Sequence, residues 1–141
     1  MSNRKLIESF HQWRQAGTPL ALATVIHTAG STYSKAGRQI LIHTDGHYAG
    51  LVSGGCLEGD LVEHAREVLK TGTPGIVTYD MRTEADDLWG MGLGCSGMLK
   101  ILLQRLSAGD NWQPFNDLAA VMAATDSSTT ALVIASTLEQ L

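Results

Sequence analysis

Two cysteines, Cys56 and Cys95, are the only thiols in this chain, and each stands among glycines. Cys56 belongs to Ser53-Gly54-Gly55-Cys56-Leu57-Glu58 and Cys95 to Gly90-Met91-Gly92-Leu93-Gly94-Cys95-Ser96-Gly97. Glycine has no Cβ, so a ligand can approach the backbone beside it. The first segment has the order strand, small residues, helix. That order predicts N–H groups aimed outward at a helix N-terminus, where a phosphate or other anion is stabilised. The same position favours the thiolate form of Cys56. Glu58 is placed to accept a hydrogen bond or to complete the helix cap. The alternative is a tight strand-to-helix turn in which Cys56 fills space. The residues alone leave both open.

Around Cys95 the pattern is formally G-x-G-x-x-G, from Gly92 to Gly97, with Asp117 about 20 residues beyond. A dinucleotide fingerprint must follow a strand and open a helix. Thr83-Glu84-Ala85-Asp86-Asp87-Leu88-Trp89 makes a poor strand, so the fingerprint reads as a decoy and the segment as a glycine loop presenting Cys95. A third stretch, Gly30-Ser31-Thr32-Tyr33-Ser34-Lys35-Ala36-Gly37-Arg38, offers hydroxyls and two cations, which suit phosphate. It lacks the GK[ST] of a P-loop. An ordinary polar connection is the alternative.

His43 and His47 are expected on opposite faces of a hairpin, which argues against a shared metal. His64 reads as solvated on a helix, and Asp86-Asp87 as a solvated acidic loop. No Ser-His-Asp or Cys-His arrangement can be defended from the sequence.

These residues need elements to hold them. Leu6, Phe10 and Trp13 recur at helical spacing, which predicts a helix over 2–15, stopped by Gly17 and Pro19. Residues 20–27, rich in Ala, Val, Ile and Thr, predict a buried strand, and 28–37 a loop. Strands over 38–44 and 47–52 are joined by Asp45-Gly46, the dipeptide of a two-residue type I′ turn. That turn would set Thr44 opposite His47, Ile42 opposite Ala49 and Ile40 opposite Leu51, all on one face. Leu57, Leu61, Ala65, Val68 and Leu69 mark the buried stripe of a helix over 57–70, ended by Gly72. Further strands are expected over 75–80, 98–106 and 130–135, a helix over 114–124, a long loop over 81–97 and a linker over 107–112.

The chain has 141 residues, 44% of them hydrophobic, enough for one domain with a core. No apolar run approaches the roughly 20 residues of a membrane helix. The start of the sequence is polar and charged and does not read as a signal peptide. The formal charge is −4 and the ten Lys and Arg are scattered, which excludes a basic nucleic-acid surface. Two cysteines without an export signal are expected to be reduced, in a cytoplasmic protein.

Taken in order, Ala23-Thr24-Val25, Gly30-Ser31-Thr32-Tyr33, Asp45-Gly46, Ser53-Gly54-Gly55-Cys56-Leu57-Glu58, Tyr79-Asp80, Asp86-Asp87 and Leu93-Gly94-Cys95 resemble the XdhC/CoxI family, maturation factors of molybdenum hydroxylases such as xanthine dehydrogenase. The likeness runs from about residue 20 to 106, and SGGCLE is its most specific part. The resemblance implies an α/β fold: a mixed β-sheet with flanking helices and a β-hairpin. It implies a cofactor-handling domain over 1–106. Residues 107–141 would complete that domain or lead toward the family's second, Rossmann-type half, which this sequence lacks.

It further implies a chaperone that binds molybdenum cofactor (molybdopterin), helps it gain its sulfido ligand and inserts it, without turnover of its own. The partners would be an apo molybdenum hydroxylase and a cysteine desulfurase, with self-association as a homodimer. Ser31, Tyr33, Ser53, Gly54, Gly55, Cys56, Glu58, Gly94 and Cys95 would line the cofactor site, with Cys56 and Cys95 at the metal or its sulfur. Two departures stand out: Ser34, Lys35 and Ala36 occur where the family often has arginine and proline, and Ser96 replaces a glycine. The alternatives are a cysteine-dependent sulfur or acyl transferase using Cys56 as nucleophile, and a pure interaction module.

Overall fold

Along the first strand, Leu20 and Leu22 face one way while Ala21, Ala23 and Val25 face the other, and all five are buried. A strand apolar on both sides needs a layer on each face. A computed structural model describes residues 3–32, 34–53, 55, 57–80 and 97–124 and supplies both layers. The elements are α1 (Asn3–Gln15), β1 (Leu20–Ala29), β2 (Gln39–His43), β3 (Tyr48–Ala49), α2 (Glu58–Thr71), β4 (Gly75–Asp80), β5 (Met98–Leu106) and α3 (Phe115–Ala124). The sheet has the order β3-β2-β1-β5-β4.

On one face, Leu57, Leu61, Val62, Ala65 and Val68 of α2 and its entry pack against Ala21, Val25, Ile40, Ile42, Ile101 and Leu103. On the other, Leu6 and Phe10 of α1 meet Leu20, Leu22, Leu41, Leu106 and Phe115. Phe10 and Phe115 are both fully buried and meet edge to face, with ring centroids 4.9 Å apart. Such a pair contributes about 0.5–1.5 kcal/mol beyond the area it buries.

The α/β layering, flanking helices and hairpin are as expected. All four strand pairings are antiparallel, which replaces the mixed sheet of the expectation. Helix and strand bounds fall within about two residues of the sequence reading, except that β3 ends at Ala49, three residues short of the strand expected over 47–52. The strand expected over 130–135 lies outside the described residues, as does the 81–97 loop apart from Gly97.

The hairpin differs in register. Leu41 pairs with Ala49 and Ile42 with Tyr48, and the His43 N–H donates to the His47 carbonyl. The loop is therefore the three residues Thr44, Asp45 and Gly46. Gly46 has φ +97° and donates its N–H to the His43 carbonyl, the geometry of a three-residue turn closed by a positive-φ residue. A shift of one residue moves side chains to the opposite face. Ile40 and Ile42 accordingly pack under α2, while Leu41 and Ala49 join the α1 side.

Candidate functional site

The three segments singled out for chemistry leave the sheet at one end. The loop after β1 is tied inward by Ser34, whose buried hydroxyl donates to the Val52 carbonyl at 2.7 Å. The Thr32 hydroxyl in turn donates to the Ser34 carbonyl. Val52 and Ser53 then lead into α2.

The glycine-rich segment between β4 and β5 springs from the same place, because Asp80 and Met98 are paired across the ladder. Gly97, at its far end, lies against the first loop. A Cβ there would come within 2.5 Å of the carbonyl oxygens of Ala29 and Ser31. No side chain fits, so this contact requires glycine.

Glu58 organises the turn into α2. Its side chain is fully buried. Oε2 accepts the N–H groups of Val52 at 2.7 Å and Ser53 at 3.0 Å. Oε1 accepts the Ser53 hydroxyl at 2.5 Å and the Gly55 N–H at 3.1 Å. The Ser53 Oγ accepts the Leu57 N–H at 2.8 Å. Burial pushes the Glu58 carboxyl upward, but the donors from Ser53 and Val52 outweigh it and hold the group below its ordinary 4.5.

This geometry corrects two expectations. The N–H groups of Val52, Ser53 and Gly55 point inward to Glu58 rather than outward to a ligand. Glu58 and Ser53, expected to line a cofactor site, are buried, with their polar atoms closing the turn. Ser31 and Gly55 are exposed on the rim, and a Cβ on Gly55 would meet nothing within 4 Å. Tyr33, Gly54, Cys56, Gly94 and Cys95 lie outside the described residues, as do Asp86, Asp87 and most of the G-x-G-x-x-G pattern.

A second polar group flanks the turn. The buried Tyr79 hydroxyl donates to Asp60 Oδ2 at 2.5 Å, and His64 Nε2 lies 3.3 Å from the same oxygen. Burial, the hydrogen bond to Asp60 and the charges of Asp60 and Glu58 all raise the Tyr79 phenol, so it stays protonated and donates. The contact fixes the end of β4 against the start of α2. Asp60 was not singled out from the sequence, and Ser34 only as part of its loop and as a departure from the family pattern. Asp60 carried one signal, an acid in the first turn of a predicted helix; Ser34 carried none beyond its loop. His64, half exposed, is as solvated as expected apart from Asp60.

At the hairpin, His43 and His47 both place Nδ1 within 3.0 Å of Asp45 Oδ1. Among the described residues no group of three His, Cys, Asp or Glu is arranged to hold a metal ion.

The fold and its rim define a class: an α/β domain that gathers a polar loop, a carboxylate-filled turn and both stems of a glycine-rich segment at one end of an antiparallel sheet. Residues 13–80 match the sequence model of the XdhC and CoxI family. It is 40% identical over 86 residues to a probable xanthine dehydrogenase subunit of Bacillus subtilis, covering 61% of this chain and 26% of that protein. It is 29% identical over 91 residues to the molybdenum cofactor insertion chaperone PaoD of Escherichia coli, covering 64% and 28%. The crystal structure of a xanthine dehydrogenase from Bacillus halodurans superposes with a TM-score of 0.62 at 42% identity, over 74% of this chain and 30% of that one. The chain thus spans little more than a quarter of the curated relatives it matches. No helix among the described residues is long and apolar enough to cross a membrane.

Proposed function

We propose that this chain is a maturation factor rather than an enzyme: it holds molybdenum cofactor as cargo on the rim and passes it to a molybdenum hydroxylase of the xanthine dehydrogenase type. The observation that carries this is the convergence of the three segments. Ser34 ties the first loop to Val52, and Gly97 lies against Ser31. Cys56 stands in sequence between Gly55 and Leu57, and Cys95 two residues before Gly97. Both thiols therefore belong to segments anchored at this end of the sheet. The family-model match over residues 13–80 and the insertion-chaperone name of the Escherichia coli relative support the same role.

In this reading Cys56 and Cys95 meet the metal or its sulfur, a soft-donor preference. Ser31, Tyr33, Gly54, Gly55 and Gly94 form the surface under the pterin. Since Glu58 holds the turn amides, the pterin phosphate falls to Lys35 and Arg38 of the first loop. The exposed rim around Ser31 and Gly55 suits cargo that must be released. A cysteine desulfurase, a homodimer and a cytoplasmic setting complete the proposal.

The test is native mass spectrometry of the purified chain, with pterin fluorescence after oxidation. Bound pterin is expected in the wild type and reduced several-fold in Cys56→Ser, in Cys95→Ser and in the Lys35→Ala/Arg38→Ala double variant. Normal pterin content in both cysteine variants would sink the assignment of the rim. A covalent acyl or persulfide adduct on Cys56 without pterin would favour the transferase instead.

A further inference from the structure

A carboxylate has two oxygens and about four lone-pair sites. At Glu58, among the described residues, four donors fill them: the N–H groups of Val52, Ser53 and Gly55 and the Ser53 hydroxyl. Successive backbone N–H groups that converge in a turn form a cradle for an anion, and a helix N-terminus beside them adds partial positive charge. Here that cradle closes on a side chain of the same protein, three residues further along than Gly55 and out of contact with solvent.

We propose that Glu58 is the resident anion of this cradle, a positioning residue that shapes the rim and excludes the negatively charged group of any ligand from the helix N-terminus. Two physical consequences follow. The donors have no capacity left for a phosphate. A second anion brought to the same amides would also face the Glu58 charge at close range, where like charges repel strongly. This role belongs to the turn itself and holds whatever cargo the rim carries.

The experiment compares the full-length wild type, Glu58→Ala and Glu58→Gln by thermal unfolding in sodium chloride and in sodium formate at equal ionic strength. Glu58→Ala opens a carboxylate-sized space lined by the four donors, and formate is a carboxylate small enough to enter it. Its midpoint should fall in chloride and rise in formate by about 4 °C or more relative to the wild type. Glu58→Gln keeps the space filled, so it should be destabilised in both salts and gain nothing from formate.

If Glu58→Ala does not fold in chloride, refolding by dilution into formate replaces the melt; folded protein recovered only in formate supports the proposal, and none recovered in either salt overturns it. Equal formate shifts in all three proteins, or a Glu58→Ala variant as stable as the wild type, would also overturn it. Pterin content is not among these readouts, so failure here leaves the cargo proposal standing, and absence of pterin leaves this one standing.

Discussion

Two turns in this protein are each organised around one carboxylate, and they differ in what surrounds it. In the hairpin loop, Asp45 Oδ1 accepts the His47 N–H at 2.9 Å and lies beside the imidazoles of His43 and His47. Its side chain is 52% exposed. The backbone hydrogen bond from His47, reinforced by the two histidines, holds its pKa near 2 against the opposing effect of desolvation. At the entry to α2, Glu58 accepts a similar set of donors but is fully buried. Water replaces any partner lost by Asp45. Nothing replaces a partner lost inside the second turn, so the same chemistry is ornamental in one place and structural in the other.

The sharpest way to break this contrast is to remove each acid in turn. Glu58→Ala leaves several buried donors unsatisfied, at about 1–3 kcal/mol each. A loss of about 3 kcal/mol or more is expected in urea denaturation. Asp45→Ala should move the urea midpoint only slightly. Comparable losses in the two variants would show that burial does not separate the turns.

Next in size is the rim contact between Gly97 and the loop after β1. In Gly97→Ala the new methyl group meets the carbonyls of Ala29 and Ser31, and overpacking of this kind costs about 1–3 kcal/mol. The strain should appear as faster amide exchange in the first loop, while the hairpin is unchanged. Ser34→Ala removes the hydroxyl from a buried carbonyl and should cost about 1–2 kcal/mol, measured by the same denaturation.

Acid gives a graded comparison. A carboxyl whose folded pKa lies below its unfolded value stabilises above the unfolded value and loses that contribution as pH falls. For Glu58 the loss begins near its ordinary 4.5 and continues down through the depressed folded value. For Asp45 it runs from near 3.8 down toward about 2. The gap in melting temperature between wild type and Glu58→Gln should therefore narrow as pH drops below 4.5. A gap independent of pH would show that the Glu58 charge contributes nothing. The smallest effect is expected of Asp45→Asn, a slight change in midpoint that also fades on acidification, toward about pH 2.

Much of the fold was legible because apolar periodicity repeats over several residues. Leu57, Leu61, Ala65 and Val68 could belong to nothing but one buried helical stripe, and the alternation of Leu99, Ile101 and Leu103 marked β5 as a strand. The hairpin register was not legible. Asp45-Gly46 suits a two-residue and a three-residue turn alike, and the choice depends on which face of Ile40 and Leu41 the helices cover. Glu58 was visible as a possible cap, but its burial was not, because burial depends on how the whole turn packs in the folded protein.

The sequence by itself determined where helices and strands form, which residues are chemically capable, and which family they resemble, since all of these are local patterns. Only the tertiary structure decided that the sheet is antiparallel throughout and that one loop, one turn and one pair of strand ends share a rim. It also decided that the amides of the turn serve an internal carboxylate. Each of those outcomes depends on groups far apart in the chain being brought within a few ångströms, where an unfilled hydrogen-bond donor shut away from water is too costly to leave without a partner.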